Sequence, residues 1–352
     1  MKARKAERRG PVPRFKRALQ GVLRRIGYQL VRVPPPDSRY QHASFDASRN
    51  LPTGAEDELR ADHPRLLELR ERYARVAGPM AVRTFWEPGY LERDLNLRAF
   101  RGDNAYVWQF RKVGAEAYPK YYLYLRDVAA RDTQGLLGKL SEDGLFGCWT
   151  FEYPGWPPVS RDLLDSINEL YFLDRQLGLL QRPDGPSTVL DIGAGYGRLA
   201  YRALAAVPAL HYLCTDAVPE STFLCEYYLR FRGCLDRAEV IPLDEIGIRL
   251  PGRRIDLAVN VHSFSEMSHR TIAGWLALLE RLQVPWLFIV PNDAGRLLSM
   301  EEDGERQPFD GLLAACGYEL AVREPVFADP TLRELMNVND HYFLFRRRGA
   351  AG

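Results

Sequence analysis

Cysteine, histidine and long apolar runs are scarce in this sequence. Its 352 residues include five cysteines, an odd number with no C-x-x-C pair, which disfavours a disulfide framework and a zinc knuckle. No run approaches the roughly 18 apolar residues that a membrane-spanning helix needs. The basic start lacks the uninterrupted apolar core and small-residue cleavage site of a secretory signal. We therefore expect a soluble protein of the reducing cytoplasm.

The composition is that of a globular protein with an uneven charge distribution. Hydrophobic residues make up 46% of the chain, and its length suits a core domain of about 150 to 170 residues plus a second unit. The formal net charge is +2, but residues 1–33 contain eleven Lys and Arg against one Glu, so this head carries +10 and the rest −8. Such an asymmetry predicts that the head interacts with anions, of which a membrane surface and nucleic acid are two.

The basic head also contains an apolar helical pattern. Its apolar residues recur at steps of three and four and would share one helix face, at Phe15, Leu19, Leu23, Ile26 and Leu30. This helix could lie on an anionic membrane surface, which would bring the protein to the inner face of the membrane. It could equally dock on the body of the protein or form a solubilising tail. No specific nucleic-acid partner is expected, and the prolines from Pro34 begin a linker over 34–54.

The most informative stretch is T-V-L-D-I-G-A-G-Y-G-R-L at 188–199, which predicts a buried strand, a tight turn and a helix. Glycine permits positive φ and has no Cβ, so a ligand can lie against the main chain at the helix N-terminus. Gly197 follows Gly195 by two residues rather than the three of the dinucleotide fingerprint, which argues against a nicotinamide or flavin enzyme. Asp191 would repel a pyrophosphate and attract a cationic amino-acid group. A tight turn without a ligand is the alternative.

Strands and helices alternate regularly after this turn. Helices are predicted to Val207 and over 219–232 and 269–283, and strands over 211–215, 239–243, 255–261, 286–290, 318–327 and 341–347. With the strand before the turn they predict an α/β fold with a doubly wound, mostly parallel seven-stranded sheet of the Rossmann-like type. A mainly helical, aromatic-rich region over 55–159 is expected to precede this α/β domain at 160–352. Ligands of such sheets bind at the carboxyl ends of the strands.

Five segments carry a resemblance to known families. D-I-G-A-G-Y-G at 191–197 resembles motif I of class I S-adenosylmethionine-dependent methyltransferases. Over roughly 85–347 the chain resembles a bacterial family of sugar O-methyltransferases, through F-R-G-D-N-A-Y at 100–106, E-D-G-L-F-G at 142–147, S-R-D-L-L-D-S at 160–166 and V-H-S-F-S-E-M at 261–267. The resemblance implies the methyltransferase form of the fold, with S-adenosylmethionine as methyl donor. It also implies a sugar hydroxyl as acceptor, on a surface glycan or a nucleotide-linked precursor made in polysaccharide biosynthesis.

Cofactor contacts are expected from the turn and from the strand ends. Asp216 closes the second strand 23 residues after Gly193, where an acid can accept both ribose hydroxyls of a nucleoside. The resemblance implies that Asp244, after the third strand, lies near the adenine amino group, although an ordinary turn would also explain this acid. The expected cofactor-binding set is Asp191, Gly193, Ala194, Gly195, Gly197, Asp216, Asp244 and Asn260.

A polar and aromatic segment of the helical region is the expected acceptor site. Aromatic faces pack on the C–H patches of a hydroxyl-rich ligand, while Arg, Asp and Asn side chains bond its hydroxyls. The residues expected to bind the acceptor are Arg101, Asp103, Asn104 and Tyr106, with Asp162 from the helix that begins after Ser160. A polar turn is the alternative for the first four. Asp162 shares a helix face with Asp165 and Glu169, and this face could be solvated or could roof the cofactor pocket.

The end of the fourth strand supplies the candidate catalytic residues, His262 and Glu266. An alcohol is a poor nucleophile at neutral pH, so a base that takes the hydroxyl proton helps methyl transfer, and imidazole titrates in the useful range. We predict His262 as this base, with Glu266 orienting it or binding the acceptor. A histidine bonded only to the backbone is the alternative. Divalent metals bind carboxylate and amide oxygens of the kind that these strand ends carry. No ligand spacing in the sequence supports a metal site, and we assign no metal ligand.

Two other functions are open alternatives. The same donor could serve a non-sugar small molecule or a protein acceptor. From a different class, the domain could be a methyltransferase-like binding module that does not turn over. Asp191, the three glycines and Asp216 argue that a cofactor site is intact.

Overall fold

A computed structural model describes residues 50–102, 114–181 and 185–349, together with a few positions between 19 and 34. The chain divides into two compact units, Met1–Pro35 and Pro36–Gly352. In the first unit Leu19, Val22, Leu23 and Arg25 are helical, and Leu19 and Val22 are exposed. The other residues of the predicted apolar face, Phe15, Ile26 and Leu30, lie outside the described residues, so the amphipathic helix of the head stays a prediction.

The second unit alternates helices and strands. Its α-helices are α1 (Ala55–Glu58), α2 (Pro64–Ala74), α3 (Pro88–Asp94), α4 (Gly114–Arg131), α5 (Leu136–Lys139), α6 (Arg161–Leu177), α7 (Arg198–Ala206), α8 (Pro219–Phe231), α9 (Ile246–Arg249), α10 (His269–Arg281), α11 (Asp310–Ala315) and α12 (Pro330–Met336). The strands are β1 (Thr188–Ile192), β2 (His211–Thr215), β3 (Ala238–Val240), β4 (Leu257–Val261), β5 (Trp286–Val290), β6 (Tyr318–Pro325) and β7 (His341–Arg347). Short 3-10 turns span Pro79–Ala81, Leu243–Glu245 and Ser263–Glu266.

The seven strands form one mixed sheet in the order β3-β2-β1-β4-β5-β7-β6. Strands β1 to β5 pair in parallel, while β7 is antiparallel to both β5 and β6. The predicted seven-stranded α/β sheet is confirmed, and it is mixed rather than purely parallel. Because the chain moves outward from β1 to β3 on one side and from β4 to β5 on the other, the strand order reverses between β1 and β4. A crevice for a ligand is expected at this reversal, outside the carboxyl ends of the strands.

Several element boundaries differ from the predicted ones by one to three residues. The third strand ends at Val240 rather than at 243, because Pro242 has no backbone N–H to continue the ladder and instead precedes the Leu243–Glu245 turn. At the start of the predicted helical region over 55–159, α1 and α2 are separate helices, because Pro64 begins a new helix that His63 caps through a hydrogen bond accepted from Arg65 N. Among the described residues, no helix combines the length and apolar character needed to cross a bilayer.

Residues 64–81 pack against helices of the α/β part of the chain. Helix α2 lies against α8, where Arg65 pairs with Glu226 at 2.6 Å and Arg70 with Glu220 at 2.8 Å. The Pro79–Ala81 turn lies against α10, where a Cβ at Gly274 would come within 3.0 Å of Pro79 Cγ. The segment before α4 therefore contacts two different helices that follow strands of the sheet.

Candidate active site

The glycine turn joins β1 to α7 in the predicted position. Gly193, Gly195 and Gly197 have φ values of 75°, 57° and 84°, which L side chains rarely adopt. Backbone N–H groups of Gly193 and Ala194 donate to the Thr215 carbonyl oxygen at 2.9 and 3.2 Å and so tie the turn to the end of β2. A Cβ at position 193 would lie 2.0 Å from Ser263 Oγ. Gly193 is therefore required by the close approach of the loop after β4.

Two buried carboxyl groups flank this turn. Asp191 lies in β1, where Oδ2 accepts a hydrogen bond from Tyr212 Oη at 3.1 Å and burial raises its pKa to about 7. Asp216 follows β2, where Oδ2 accepts from Gly195 N at 3.0 Å and Oδ1 from Val218 N at 2.9 Å. Burial also raises the pKa of Asp216 to about 7. The pair suits a ligand that brings positive charge and hydroxyl donors, because each buried carboxylate gains from either partner.

Tyr73 of α2 contacts the Asp216 end of β2. The sequence did not indicate this contact. Its buried hydroxyl donates to the Asp216 carbonyl oxygen at 3.2 Å and accepts from Leu243 N at 2.9 Å. The same hydroxyl lies 2.7 Å from Thr222 Oγ1. One side chain thus connects the ends of β2 and β3 with the first turn of α8.

Two predicted cofactor residues have other partners. Both carboxylate oxygens of Asp244 accept hydrogen bonds from Arg72 of α2, at 2.8 and 2.9 Å, and its predicted adenine contact stays a prediction. Asn260 is completely buried, with Nδ2 donating to the Ile192 carbonyl oxygen and Oδ1 accepting from Phe264 N, both at 2.8 Å. Its amide therefore links β1 to the turn after β4, and its predicted cofactor contact stays a prediction.

Arg101 and Asp162, two of the predicted acceptor-binding residues, have partners inside the protein. Both side chains are buried, and Arg101 donates to Asp162 at 3.1 Å and to Glu142 at 2.9 and 3.0 Å. Arg202 of α7 pairs with the same two acids, at 2.8 Å to Glu142 and 3.3 Å to Asp162. Tyr196 Oη of the glycine turn donates to Asp162 Oδ2 at 2.7 Å, so Tyr196 packs inward. We call Arg101, Glu142, Asp162, Tyr196 and Arg202 the buried charge network.

Asp103, Asn104 and Tyr106 lie outside the described residues, and their predicted acceptor contacts stay predictions. Asp165 pairs with Arg161 at 3.2 Å, and Glu169 pairs with Arg198 at 2.8 Å. The acidic face of α6 is therefore neutralised by arginines rather than solvated.

His262 and Glu266 lie together at the end of β4 but are held separately. His262 has a φ of 69°, rare for a residue other than glycine, and its backbone N–H donates to the Val290 carbonyl oxygen at 2.7 Å. Burial, with Arg161 and Arg198 nearby, lowers the pKa of His262 to about 3. No hydrogen bond between His262 and Glu266 occurs within the described part of the chain. The predicted orientation of His262 by Glu266 is thus not seen.

Glu266 is bound instead by Trp86, which the sequence analysis did not identify. Trp86 Nε1 donates to Glu266 Oε2 at 2.7 Å, and Asn292 Nδ2 lies 3.4 Å from Oε1. Burial raises the pKa of Glu266 to about 7. No local signal could have found this pair, because 180 residues separate its members.

Other polar groups at this edge do not assemble into a metal centre. Asp340, before β7, is partly buried, and burial raises its pKa to about 6. In the described ranges, no group of three His, Cys, Asp or Glu side chains could hold a metal ion. Two surface cavities, of about 570 and 340 Å³, are lined by residues 59–62 with 93–98 and by Arg72, Arg75, Val76 and Asp244. Neither is lined by Asp191, Asp216, His262 or Glu266.

Comparisons with known proteins give distant likenesses. No family model and no curated protein matches the chain. A SAM-dependent methyltransferase from Aquifex aeolicus is 20% identical, with 46% of this chain and 81% of that chain covered and a TM-score of 0.33. Magnesium protoporphyrin IX methyltransferase (ChlM) from Synechocystis PCC 6803 with bound SAM is 11% identical, with 54% and 85% covered and a TM-score of 0.36. The [4+2]-cyclase SpnF is 16% identical, with 65% and 95% covered and a TM-score of 0.38. Likenesses this distant carry no argument about activity, which rests on the chain's own site.

Proposed function

We propose that this protein is an S-adenosylmethionine-dependent O-methyltransferase. The observation that carries the proposal is the pair of buried carboxyl groups, Asp191 and Asp216, on adjacent strand ends around a glycine turn. This pair lies beside the reversal of strand order, where ligands of open α/β sheets bind.

The chemistry of these residues fits this cofactor better than a dinucleotide. Asp191 would face a cationic amino-acid group, which a buried carboxylate favours and a pyrophosphate would not supply. Asp216 would accept hydrogen bonds from ribose hydroxyls. S-adenosylmethionine carries both groups and, when bound, supplies a methyl group on a positively charged sulfur.

The proposed acceptor is a sugar hydroxyl, on a surface glycan or a nucleotide-linked precursor. This part rests on the resemblance of the segments at 100–106, 142–147, 160–166 and 261–267. Two groups at the end of β4 could take the hydroxyl proton, His262 and Glu266, of which the sequence favours His262. A panel of sugars, other alcohols and proteins would separate this acceptor class from the alternatives, and a protein that binds the cofactor but methylates none would be a binding module.

Cofactor binding provides the first test, by calorimetric titration with S-adenosylmethionine and S-adenosylhomocysteine. We expect micromolar affinity for the wild type and a loss of tenfold or more in Asp216→Ala, because the ribose would lose its acceptor. Asp236→Ala removes an acid that is 68% exposed and should bind as the wild type does. Folded wild type that binds neither ligand would contradict the proposal.

We also propose that the basic head contacts an anionic membrane surface. Its net charge of +10 and the exposed Leu19 and Val22 on helical positions support this contact. A protein that starts near Asp37 is expected to lose binding to vesicles rich in phosphatidylserine, measured by co-sedimentation, and to keep its cofactor affinity. Equal vesicle binding by both proteins would rule the contact out.

A further inference from the structure

We propose that Glu266 takes the proton of the acceptor hydroxyl and that Trp86 is the residue that positions it. This inference rests on the proposed methyl transfer and replaces His262 in the role of base. It also gives the helical region a part in the chemistry, because Trp86 precedes α3 and reaches the end of β4 from there.

The backbone beneath Glu266 is fixed on several sides. The Ser263–Glu266 turn is held by Asn260 Oδ1, which accepts from Phe264 N at 2.8 Å. Arg306 Nη1 donates to the Ser265 carbonyl oxygen at 2.6 Å. The carboxylate itself receives Trp86 Nε1 at 2.7 Å on Oε2 and approaches Asn292 Nδ2 at 3.4 Å on Oε1. Donors from two separate elements thus hold one carboxylate, while carboxylate oxygens keep further lone pairs for an acceptor hydroxyl.

Trp86 is held in turn by its own segment. Its ring lies edge-on to Phe85 and Tyr90, with centroid distances of 5.7 Å to each. The start of the segment is attached to α10, where Thr271 Oγ1 donates to the Pro79 carbonyl oxygen at 3.0 Å. An indole fixed in this way restricts the positions open to the Glu266 carboxylate, as a positioning residue must.

The surroundings of the two candidates favour Glu266. Burial, with Arg161 and Arg198 nearby, lowers the pKa of the His262 imidazole to about 3. For Glu266, burial and the nearby Asp216 raise the pKa, while the Trp86 hydrogen bond and Arg306 lower it, with a result of about 7. A base is most effective when its pKa lies near the working pH.

The proton transfer can be written in full. As the acceptor oxygen forms its bond to the methyl carbon, the carbon–sulfur bond breaks with its electron pair on sulfur, and the hydroxyl proton passes to a Glu266 carboxylate oxygen. Glu266 then releases this proton to water before the next turnover. His262 stays neutral throughout.

Substitution kinetics test the assignment. We expect Glu266→Gln to lower kcat by about 100-fold or more, the usual contribution of a general base, with a calorimetric cofactor affinity within about threefold of wild type. His262→Asn, chosen because Asn tolerates positive φ, should lose less than about tenfold. The reverse pattern, with turnover retained in Glu266→Gln and lost in His262→Asn, would overturn the assignment and restore His262 as base.

The role of Trp86 has its own readout in the pH profile. The indole hydrogen bond stabilises the Glu266 carboxylate, so its loss in Trp86→Phe raises the pKa of that carboxyl. Because the base must be ionised, the acid limb of the kcat/KM profile should move to higher pH, and activity lost at pH 7 should return near pH 9. A uniform loss at all pH values would mean that Trp86 acts only through packing.

A second measurement requires no turnover. In the free protein, ionisation of Glu266 should change the fluorescence of the bonded indole, giving a transition near pH 7. This transition should be absent in Trp86→Phe and in Glu266→Gln, and present in Trp286→Phe, which removes a half-buried tryptophan at the amino end of β5. No transition in the wild type would overturn the pairing of Trp86 with Glu266. If the protein shows this transition but methylates no acceptor, the proposed function is wrong while the pairing of Trp86 with Glu266 stands.

Discussion

Replacing Asp162 by Asn is expected to destabilise the fold by about 3–5 kcal/mol, the usual result of removing one partner from a buried ion pair. The Asp162 side chain is 1% exposed and receives Arg101 at 3.1 Å, Arg202 at 3.3 Å and Tyr196 at 2.7 Å. Both arginines are equally buried and would still share Glu142, and Arg101 also lies 3.3 Å from the part-exposed Asp143. The loss of one carboxylate therefore leaves buried positive charge with less compensation.

Urea unfolding at pH 7 would measure this loss. The matched control is Glu71→Gln, which removes one member of the Arg75–Glu71 pair on the surface of α2, where both side chains are about 70% exposed. This control should change the free energy of unfolding by less than about 0.5 kcal/mol. A loss below about 1 kcal/mol for Asp162→Asn would mean that the buried charge network contributes little to stability.

The free energy of unfolding should also depend on pH through the carboxyl group of Asp162. Arg101 and Arg202 hold the pKa of Asp162 well below its usual range in the folded protein, and those arginines also hold the pKa of Glu142 below its usual range. A lowered folded pKa gives stability that is present above the unfolded pKa of about 4 and is lost as pH falls through the folded value. Wild type should therefore lose stability steeply below about pH 4, and Asp162→Asn should show a shallower dependence.

The buried charge network also explains what the family-like segments have in common. The segments at 100–106, 142–147 and 160–166 supply Arg101, Glu142 and Asp162, which meet in space although they are far apart in sequence. Tyr196 joins them to the glycine turn and packs against Phe100 at a centroid distance of 5.2 Å. Through these contacts Arg101, Glu142, Asp162 and Tyr196 support the glycine turn. The proposed sugar acceptor rests on the family resemblance of the whole segments and not on contacts made by these four side chains.

Local patterns predicted the parts of the fold that depend on neighbours in sequence. The glycine turn, the positions of Asp191 and Asp216 at strand ends, and the alternation of strands and helices after them follow from spacing that a few residues determine. Contacts between distant segments were beyond such patterns, as with Arg101 and Asp162, 61 residues apart, or Trp86 and Glu266, 180 apart. Charged side chains in a segment suggest either a ligand or another buried charge, and only the folded arrangement decides between them.

Cofactor affinity is expected to rise roughly tenfold between pH 5.5 and 7, below the range in which an α-amino group loses its proton. Burial raises the pKa of Asp191 to about 7, so most molecules carry this carboxyl protonated at pH 5.5. A cationic amino-acid group favours the ionised form, and binding should therefore release a proton from Asp191. Calorimetry in two buffers of different ionisation enthalpy would measure both the affinity and the number of protons released.

Asp191→Asn should reduce this pH dependence and weaken binding, because the neutral amide cannot pair with the ammonium group. Asp216, whose pKa burial also raises to about 7, would account for the part that remains. The same change should stabilise the free protein at pH 8 by about 1–3 kcal/mol. The folded pKa of Asp191 is raised, so its contribution to stability is present below about pH 4 and is lost as pH rises through about 7. An Asn at this position avoids that loss and can still accept the Tyr212 hydrogen bond. If Asp191→Asn instead destabilised the free protein at pH 8, the carboxylate would have to be ionised and paired without the cofactor. Stabilisation together with weaker binding would show that the buried carboxylate lowers the stability of the free protein because it is arranged for a cationic ligand.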